Sequence, residues 1–263
     1  MSKKILLNFL LLLALKSAYG QRFNTVEKIV IPPEGSRTVS ITTQLYKPLE
    51  EIKGAFIMYH QAGSSRGEYI ETAQRLNRLG YLCLAVDLRS GKDMNGIENE
   101  TYNDAKSKMK DTGYLDAYTD MKVSLVYFKG FIKGAYENKA DLPLYVIGSS
   151  YSASLSCRLA TEFKSNVDAL FLFSPGEYFV NFNGDEQYIA GFLRKIDAPV
   201  WATSSKNETT RLSKLLESVP DTVRLVQFEP TSSGQHGAKA LWPQFTDSED
   251  YWESFLSFVN TLP

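Results

Sequence analysis

Short apolar runs that alternate with amphipathic stretches constrain the fold of this chain more than any other feature of its sequence. Each run is about as long as a single strand and ends at a polar or glycine-containing turn. Most runs are apolar at consecutive positions, which is typical of strands that helices cover on both faces. The alternation predicts βαβ crossovers, and therefore a mainly parallel sheet with helices on both sides. The runs lie at residues 54–59, 81–86, 142–147, 167–173, 198–203 and 223–228.

The segment before these runs has a different pattern. Residues 26–31 and 38–46 alternate apolar and polar side chains, and the turn-forming sequence Pro32-Pro33-Glu34-Gly35 separates them. This pattern predicts an antiparallel hairpin at one edge of the sheet. The chain has 263 residues, of which 43% are apolar, so residues 21–263 are expected to form one α/β domain rather than two small ones.

The first twenty residues have the composition of a secretory signal peptide. Lys3 and Lys4 form a basic start, residues 5–15 are apolar except for Asn8, and small residues lead up to Gly20. We expect cleavage after Gly20 and an exported protein, in the periplasm or outside the cell. The apolar run is too short to span a bilayer, so no stable membrane anchor is expected after cleavage.

The charge and the cysteines narrow the class of protein. Removal of residues 1–20 leaves 26 basic and 30 acidic side chains, a net charge of −4. A mildly acidic chain without a basic stripe is not expected to bind nucleic acid. Cys83 lies in an apolar run and Cys157 in a helical stretch, so both are expected to be buried thiols rather than a disulfide. The sequence leaves the oligomeric state open.

One strand end carries a candidate nucleophile, at the edge where parallel α/β sheets bind their ligands. The run at 142–147 breaks at a glycine, and small residues then lead into a helical pattern. The segment Gly148-Ser149-Ser150-Tyr151-Ser152 fits the small-x-Ser-x-small pattern of a strained turn that exposes a serine hydroxyl. A second frame would centre on Ser152, but it places the turn two residues beyond the end of the apolar run. We therefore predict that Ser150 is the nucleophile.

A nucleophilic serine needs an imidazole base and a carboxylate that orients this base. On this class of sheet the three residues occur in the chain order Ser, acid, His. The sequence has two histidines, and His236 is the one that follows Ser150, so it is the predicted base. Glu208, after the fifth run, is the predicted acid, and Glu177, after the fourth run, is the alternative.

The oxyanion of an acyl-transfer reaction needs backbone N–H donors. Tyr151 follows the nucleophile at the start of the predicted helix and should supply one of them. The loop after the first apolar run should supply the other, from Gln61 or Ala62. His60 belongs to the same loop and precedes the nucleophile in the chain, so we expect it to support this loop by hydrogen bonds rather than to transfer protons.

These motifs together resemble those of the α/β-hydrolase superfamily, over essentially the whole chain after residue 20. His60-Gln61-Ala62-Gly63 is similar to its His-Gly oxyanion loop, and Gly234-Gln235-His236-Gly237 resembles its histidine loop. The resemblance implies an α/β-hydrolase fold without a large cap, similar to dienelactone-hydrolase-like proteins and acyl esterases. True dienelactone hydrolases use a cysteine where this chain has Ser150, so their substrate is not carried over.

The resulting hypothesis is a serine hydrolase that cleaves a carboxylic ester or related acyl bond of a small-molecule substrate, without a metal or an organic cofactor. The alternatives are a peptidase or thioesterase on the same scaffold, and a hydrolase-like protein that binds a ligand without turnover. The identity of the substrate stays open. The polar residues 88–114 are expected to form an extended loop over one end of the sheet, and whether it acts as a lid is also open.

Overall fold

The computed structural model describes residues 25–49, 51–136, 141–183 and 185–262, so the predicted signal peptide lies outside the described residues. The strands, in chain order, are β1 Thr25–Ile31, β2 Ile41–Lys47, β3 Gly54–Tyr59, β4 Tyr81–Val86, β5 Leu144–Ser149, β6 Ala169–Phe173, β7 Val200–Thr203 and β8 Leu225–Phe228. They form one eight-stranded sheet in the order β1-β2-β4-β3-β5-β6-β7-β8. Neighbouring strands from β4 to β8 are parallel, whereas β2 is antiparallel to both β1 and β4. The prediction of a mainly parallel sheet is therefore confirmed.

Helices connect the parallel strands, as the alternating pattern predicts. In chain order they are α1 Ile70–Arg78, α2 Glu100–Ser107, α3 Ala117–Ala135, α4 Tyr151–Glu162, α5 Val180–Asn183, α6 Tyr188–Leu193, α7 Thr209–Leu216 and α8 Ser248–Val259. Short 3-10 turns occur at Arg66–Tyr69, Lys164–Asn166, Lys206–Glu208 and Ala238–Leu241. None of the described helices has both the length and the apolar composition that crossing a bilayer requires.

Both faces of the sheet are buried, which explains the consecutive apolar residues of its strands. In β3, Phe56 packs in a core with α1 and α8, whereas Ile57 packs in a second core with α3 and α4. The rings of Phe56 and Phe255 in α8 have centroids 5.9 Å apart. Leu125 of α3 belongs to the opposite core. The loops at the carboxyl edge of the sheet are thus attached to a scaffold that is packed on both sides.

The N-terminal hairpin and the two thiols are as predicted. β1 pairs with β2 in antiparallel register, with Val26 opposite Tyr46, and β1 forms one edge of the sheet. Cys83 and Cys157 are buried and free. Burial raises the pKa of both thiols, so neither is a thiolate at neutral pH.

The prediction of an extended loop at residues 88–114 is wrong in part, because α2 lies within it. Asn99 caps this helix, since its side-chain oxygen accepts a hydrogen bond from the N–H of Tyr102 at 2.8 Å. Thr101 and Ala105 are the buried residues of α2. A helix that buries two small residues presents no apolar period, so its sequence carries little helical signal.

Candidate active site

Ser150 lies at the apex of a tight turn between β5 and α4. Its backbone has φ 59° and ψ −120°, a left-handed conformation that is costly for a residue with a side chain. Its N–H donates to the carbonyl of Phe173 at 2.7 Å, at the end of β6. Gly148 makes the turn possible, because a Cβ there would lie 2.4 Å from the Cα of Ala153. The strand and the helix therefore approach closely enough to project the Ser150 side chain from the sheet edge.

The neighbouring serine hydroxyls are used inside the turn. Ser152 Oγ donates to the carbonyl of Tyr59 at 2.7 Å and accepts from the N–H of Ser149 at 2.9 Å. The side chains of Ser149 and Ser152 are fully buried, whereas Ser150 is 8% exposed. The structure therefore favours the frame that centres on Ser150, because a substrate cannot reach Ser152.

The structure brings Ser150, His236 and Glu208 into one hydrogen-bonded chain. Nε2 of His236 lies 2.8 Å from Ser150 Oγ, and Nδ1 lies 2.7 Å from Oε1 of Glu208. An ionised Glu208 can only accept, so Nδ1 carries the proton and Nε2 is free to accept from the Ser150 hydroxyl. Gly237, at φ 78°, lets the histidine loop approach the turn, because a Cβ there would lie 2.6 Å from Ser149 Oγ.

Glu208 is held as a carboxylate by its neighbours. Oε2 accepts hydrogen bonds from Ser205 Oγ at 2.6 Å and from Ser174 Oγ at 2.9 Å. Burial alone would raise the pKa of Glu208, but the hydrogen bonds with His236 and Ser205 outweigh it and lower this pKa to about 2. The side chain is therefore charged throughout the neutral and mildly acidic range, as a group that stabilises an imidazolium must be.

The lowered pKa of Glu208 predicts how stability depends on pH. The pKa is about 2 in the folded chain against 4.5 for an ordinary glutamate, so between these pH values the unfolded chain binds more protons. The stability that Glu208 contributes is present above about pH 4.5 and is lost as the pH falls toward 2. We expect Glu208→Gln to lose less unfolding free energy than the wild type between about pH 5 and pH 3, measured by urea titration. Equal losses in the two proteins would contradict this prediction.

The alternative acid, Glu177, has a different place. Its two carboxylate oxygens accept hydrogen bonds from the N–H groups of Ile189 and Ala190, at 2.9 and 2.8 Å, in the first turn of α6. A carboxylate at a helix N-terminus satisfies N–H groups that have no partner within the helix. The Glu177 carboxylate therefore binds the N-terminus of α6, and Glu208 rather than Glu177 contacts His236.

The oxyanion loop differs from the expectation at Gln61. Its N–H donates to Oε2 of Glu68 at 2.8 Å, so it points into the protein and cannot also bind an oxyanion. The N–H of Ala62 has no hydrogen-bond partner among the described residues, and Ala62 is exposed. Tyr151 is the first residue of α4, where N–H groups have no acceptor within the helix. Ala62 and Tyr151 are thus the two expected donors whose N–H groups have no acceptor in the described part of the chain.

His60 supports the oxyanion loop from within the protein. Its Nε2 accepts from the N–H of Leu88 at 2.8 Å, so Nδ1 carries the proton and donates to the carbonyl of Gln61 at 2.7 Å. Burial lowers the pKa of His60 to about 4. A neutral, fully buried ring with both nitrogens bonded suits a structural role rather than proton transfer.

Aromatic side chains and a groove lie near the hydrogen-bonded chain. The ring of Tyr151 stacks on that of Tyr114 with centroids 4.8 Å apart, and Tyr114 contacts Phe182, which is 57% exposed. A groove of about 920 Å³ begins beside Tyr178 and Glu208 and continues between α6 and α7. The groove therefore borders the hydrogen-bonded chain on the side of the acid.

Ser174 is a site residue that was not predicted from the sequence. Its Oγ donates to Glu208 Oε2 at 2.9 Å and accepts from the N–H of Gly237 at 3.1 Å, so it connects the acid to the histidine loop. Its carbonyl accepts from the hydroxyl of Tyr178 at 2.7 Å. Like Ser150, it has a positive φ, 52°. Ser174 directly follows the fourth apolar run, but a serine after a strand is too common to indicate a role.

Two substitutions of Ser174 should distinguish the effect of its hydroxyl group on kcat from the effect of its positive φ on stability. Both Ser174→Ala and Ser174→Gly remove the hydrogen bonds to the acid and the histidine loop, so both are expected to lower kcat for an ester substrate by about tenfold. Glycine tolerates the positive φ, so the glycine variant should unfold with about 1 kcal/mol more free energy than the alanine variant. Steady-state kinetics and urea unfolding test the two effects. A glycine variant with wild-type kcat would show that the hydroxyl has no such role.

Comparison with solved structures finds the same architecture at low sequence identity. The dienelactone hydrolase from Anabaena variabilis matches with a TM-score of 0.63 and 14% identity, over 91% of this chain and 99% of that chain. A thermostable carboxyl esterase from Bacillus coagulans matches with a TM-score of 0.65 and 12% identity, over 90% and 99%. The acylaminoacyl peptidase of Pyrococcus horikoshii matches with a TM-score of 0.63 and 12% identity, over 94% of this chain and 43% of the peptidase.

No protein-family model matches the sequence, and a search of curated proteins finds no significant match. The assignment of the fold therefore rests on the architecture. A mainly parallel eight-stranded sheet, its strand order and the structural likenesses show that this chain has the α/β-hydrolase fold.

Proposed function

We propose that this chain is a serine hydrolase that cleaves carboxylic esters through an acyl-enzyme. The observation that carries the proposal is the hydrogen-bonded chain from Ser150 through His236 to Glu208, with Ser150 on a strained turn at the carboxyl edge of the sheet. The esterase and the dienelactone hydrolase among the structural likenesses support hydrolysis on this fold.

The acylation step follows from the positions of the protons. As Ser150 Oγ bonds to the ester carbonyl carbon, its proton passes to Nε2 of His236, which becomes an imidazolium. Glu208 stabilises this cation through the proton on Nδ1. The carbonyl oxygen becomes an oxyanion, and the N–H groups of Tyr151 and Ala62 are the proposed donors to it.

The remaining steps return the protons. When the tetrahedral intermediate collapses, the bond to the alcohol oxygen breaks, and the alcohol takes the proton from Nε2 of His236. Water then gives a proton to Nε2 while its oxygen attacks the acyl carbon. Collapse of the second intermediate releases the carboxylic acid, and Ser150 regains its proton.

A peptidase is the second candidate, because the chain also resembles the acylaminoacyl peptidase in structure. The chemistry would be the same, with an amine as the leaving group. A comparison of p-nitrophenyl esters of graded acyl length with aminoacyl p-nitroanilides separates the two. We expect turnover of esters and labelling by a fluorophosphonate probe. Turnover of amides alone would favour the peptidase. If the chain showed no turnover and no labelling, the proposal would be overturned in favour of a binding protein.

We also propose that the protein is exported, on the basis of its first twenty residues. The basic start, the apolar run and the small residues before Gln21 support cleavage after Gly20. N-terminal sequencing of the mature protein from its native host tests this proposal. A mature chain that still begins before residue 20 would contradict it.

A further inference from the structure

Glu68 is a fully buried carboxylate beneath the candidate active site. It lies in the 3-10 turn Arg66–Tyr69 that precedes α1, and its exposed fraction is 0%. Burial raises the pKa of Glu68, and its hydrogen bonds and the charge of Lys239 oppose this shift. Burial of an ionised acid costs several kcal/mol unless hydrogen bonds and nearby charges compensate. The contacts of Glu68 therefore indicate its role in the structure.

Both oxygens of Glu68 accept hydrogen bonds from segments that carry site residues. Oε2 accepts from the N–H of Gln61, next to Ala62 in the oxyanion loop, at 2.8 Å. Oε1 accepts from the hydroxyl of Ser149, the residue before the nucleophile, at 2.7 Å. Ser149 Oγ in turn accepts from the N–H of Ala238, two residues after the base, at 2.8 Å. One continuous chain of hydrogen bonds thus joins three loops.

We propose that Glu68 is a positioning residue that fixes the oxyanion loop, the nucleophile turn and the histidine loop relative to one another. It does so through the N–H of Gln61 and, by way of Ser149, through the N–H of Ala238. This inference rests on the proposed function, because it concerns the geometry in which that reaction would occur.

The structure supports a role in geometry beyond ordinary packing. Because Glu68 takes the N–H of Gln61, this peptide group faces inward, and Ala62 is the donor left at the surface of the loop. A glutamine at position 68 would have one acceptor oxygen, so either Gln61 or Ser149 would face an NH₂ group instead. A buried donor without its acceptor is costly, and the loop would shift to avoid it.

The test compares Glu68→Gln with Glu71→Gln, an exposed glutamate one residue into α1. A fluorophosphonate titration counts the competent sites in each preparation, and kcat for p-nitrophenyl acetate is then expressed per labelled site. We expect Glu68→Gln to lower kcat per site by about 10- to 100-fold with KM within about threefold, because small misplacements of catalytic groups have effects of this size. Glu71→Gln should match the wild type.

Ser149→Ala is a second variant, because it breaks the same hydrogen-bond chain without removing the carboxylate. It should lower kcat per site as well, and the double variant should lose less than the product of the two single losses. If Glu68→Gln loses labelled sites but keeps wild-type kcat at each site, Glu68 only stabilises the fold and the inference fails. If the wild type itself is neither active nor labelled, the proposed function fails first.

Discussion

Replacement of Ser150 by alanine is expected to lower kcat for p-nitrophenyl ester hydrolysis by about 10⁴-fold or more, and to abolish labelling by a fluorophosphonate probe. Such a loss corresponds to about 5 kcal/mol of transition-state stabilisation. The reason is chemical, since alanine leaves His236 without a hydroxyl to deprotonate and leaves the acyl group without an acceptor oxygen. Alanine is also smaller than serine, so the turn should keep its conformation.

Two measurements make this result specific. Thermal unfolding should show that Ser150→Ala remains folded, because alanine fits the turn and the substitution removes only the hydrogen bonding of the Ser150 hydroxyl with His236 and Tyr178. Ser165→Ala, at an exposed serine in the turn after α4, is the matched control and should keep wild-type kinetics. Labelling that survives Ser150→Ala would identify another nucleophile and contradict the proposed function.

Much of the fold could be predicted because burial leaves a strong pattern in the sequence. The runs that became β3 to β6 are apolar on both faces, and the two cores on either side of the sheet require that pattern. The order of Ser150, Glu208 and His236 along the chain was equally informative, since the strand order then brings their loops to one edge. Site residues whose chain order and strand-end positions follow from the fold could therefore be predicted from the sequence.

The contacts that arrange the site could not be predicted in the same way. Glu68 lies at the start of a helix, where an acidic residue normally interacts with the helix dipole, so its burial leaves no trace in the sequence. The inward N–H of Gln61 follows from that burial, and it is the reason that Ala62 rather than Gln61 remains free. Ser174 is similar, because its contacts depend on the packing of three loops that are distant in the sequence.

Replacement of Glu208 by glutamine should have the second large effect, a loss of about 10³- to 10⁴-fold in kcat. The amide cannot stabilise an imidazolium. It can also donate its NH₂ to Nδ1 of His236, which would place the ring proton on Nε2 and prevent this nitrogen from accepting the proton of Ser150. The loss should appear at every pH above about 4, because the carboxylate of the wild type, with its pKa of about 2, is ionised over that whole range.

Glu177→Gln is the matched control for this prediction, because it changes the same atoms in the alternative acid. The Glu177 carboxylate interacts with N–H groups of α6 rather than with His236, so its substitution should alter kcat by less than about threefold while lowering stability slightly. Steady-state kinetics of both variants, each corrected for the fraction of labelled sites, decide between the two acids. If Glu177→Gln lost most of its activity while Glu208→Gln kept it, the acid would be assigned to the wrong residue. If both variants kept their activity, His236 would act without either carboxylate, and the hydrogen bond at 2.7 Å between Nδ1 and Glu208 would be structural only.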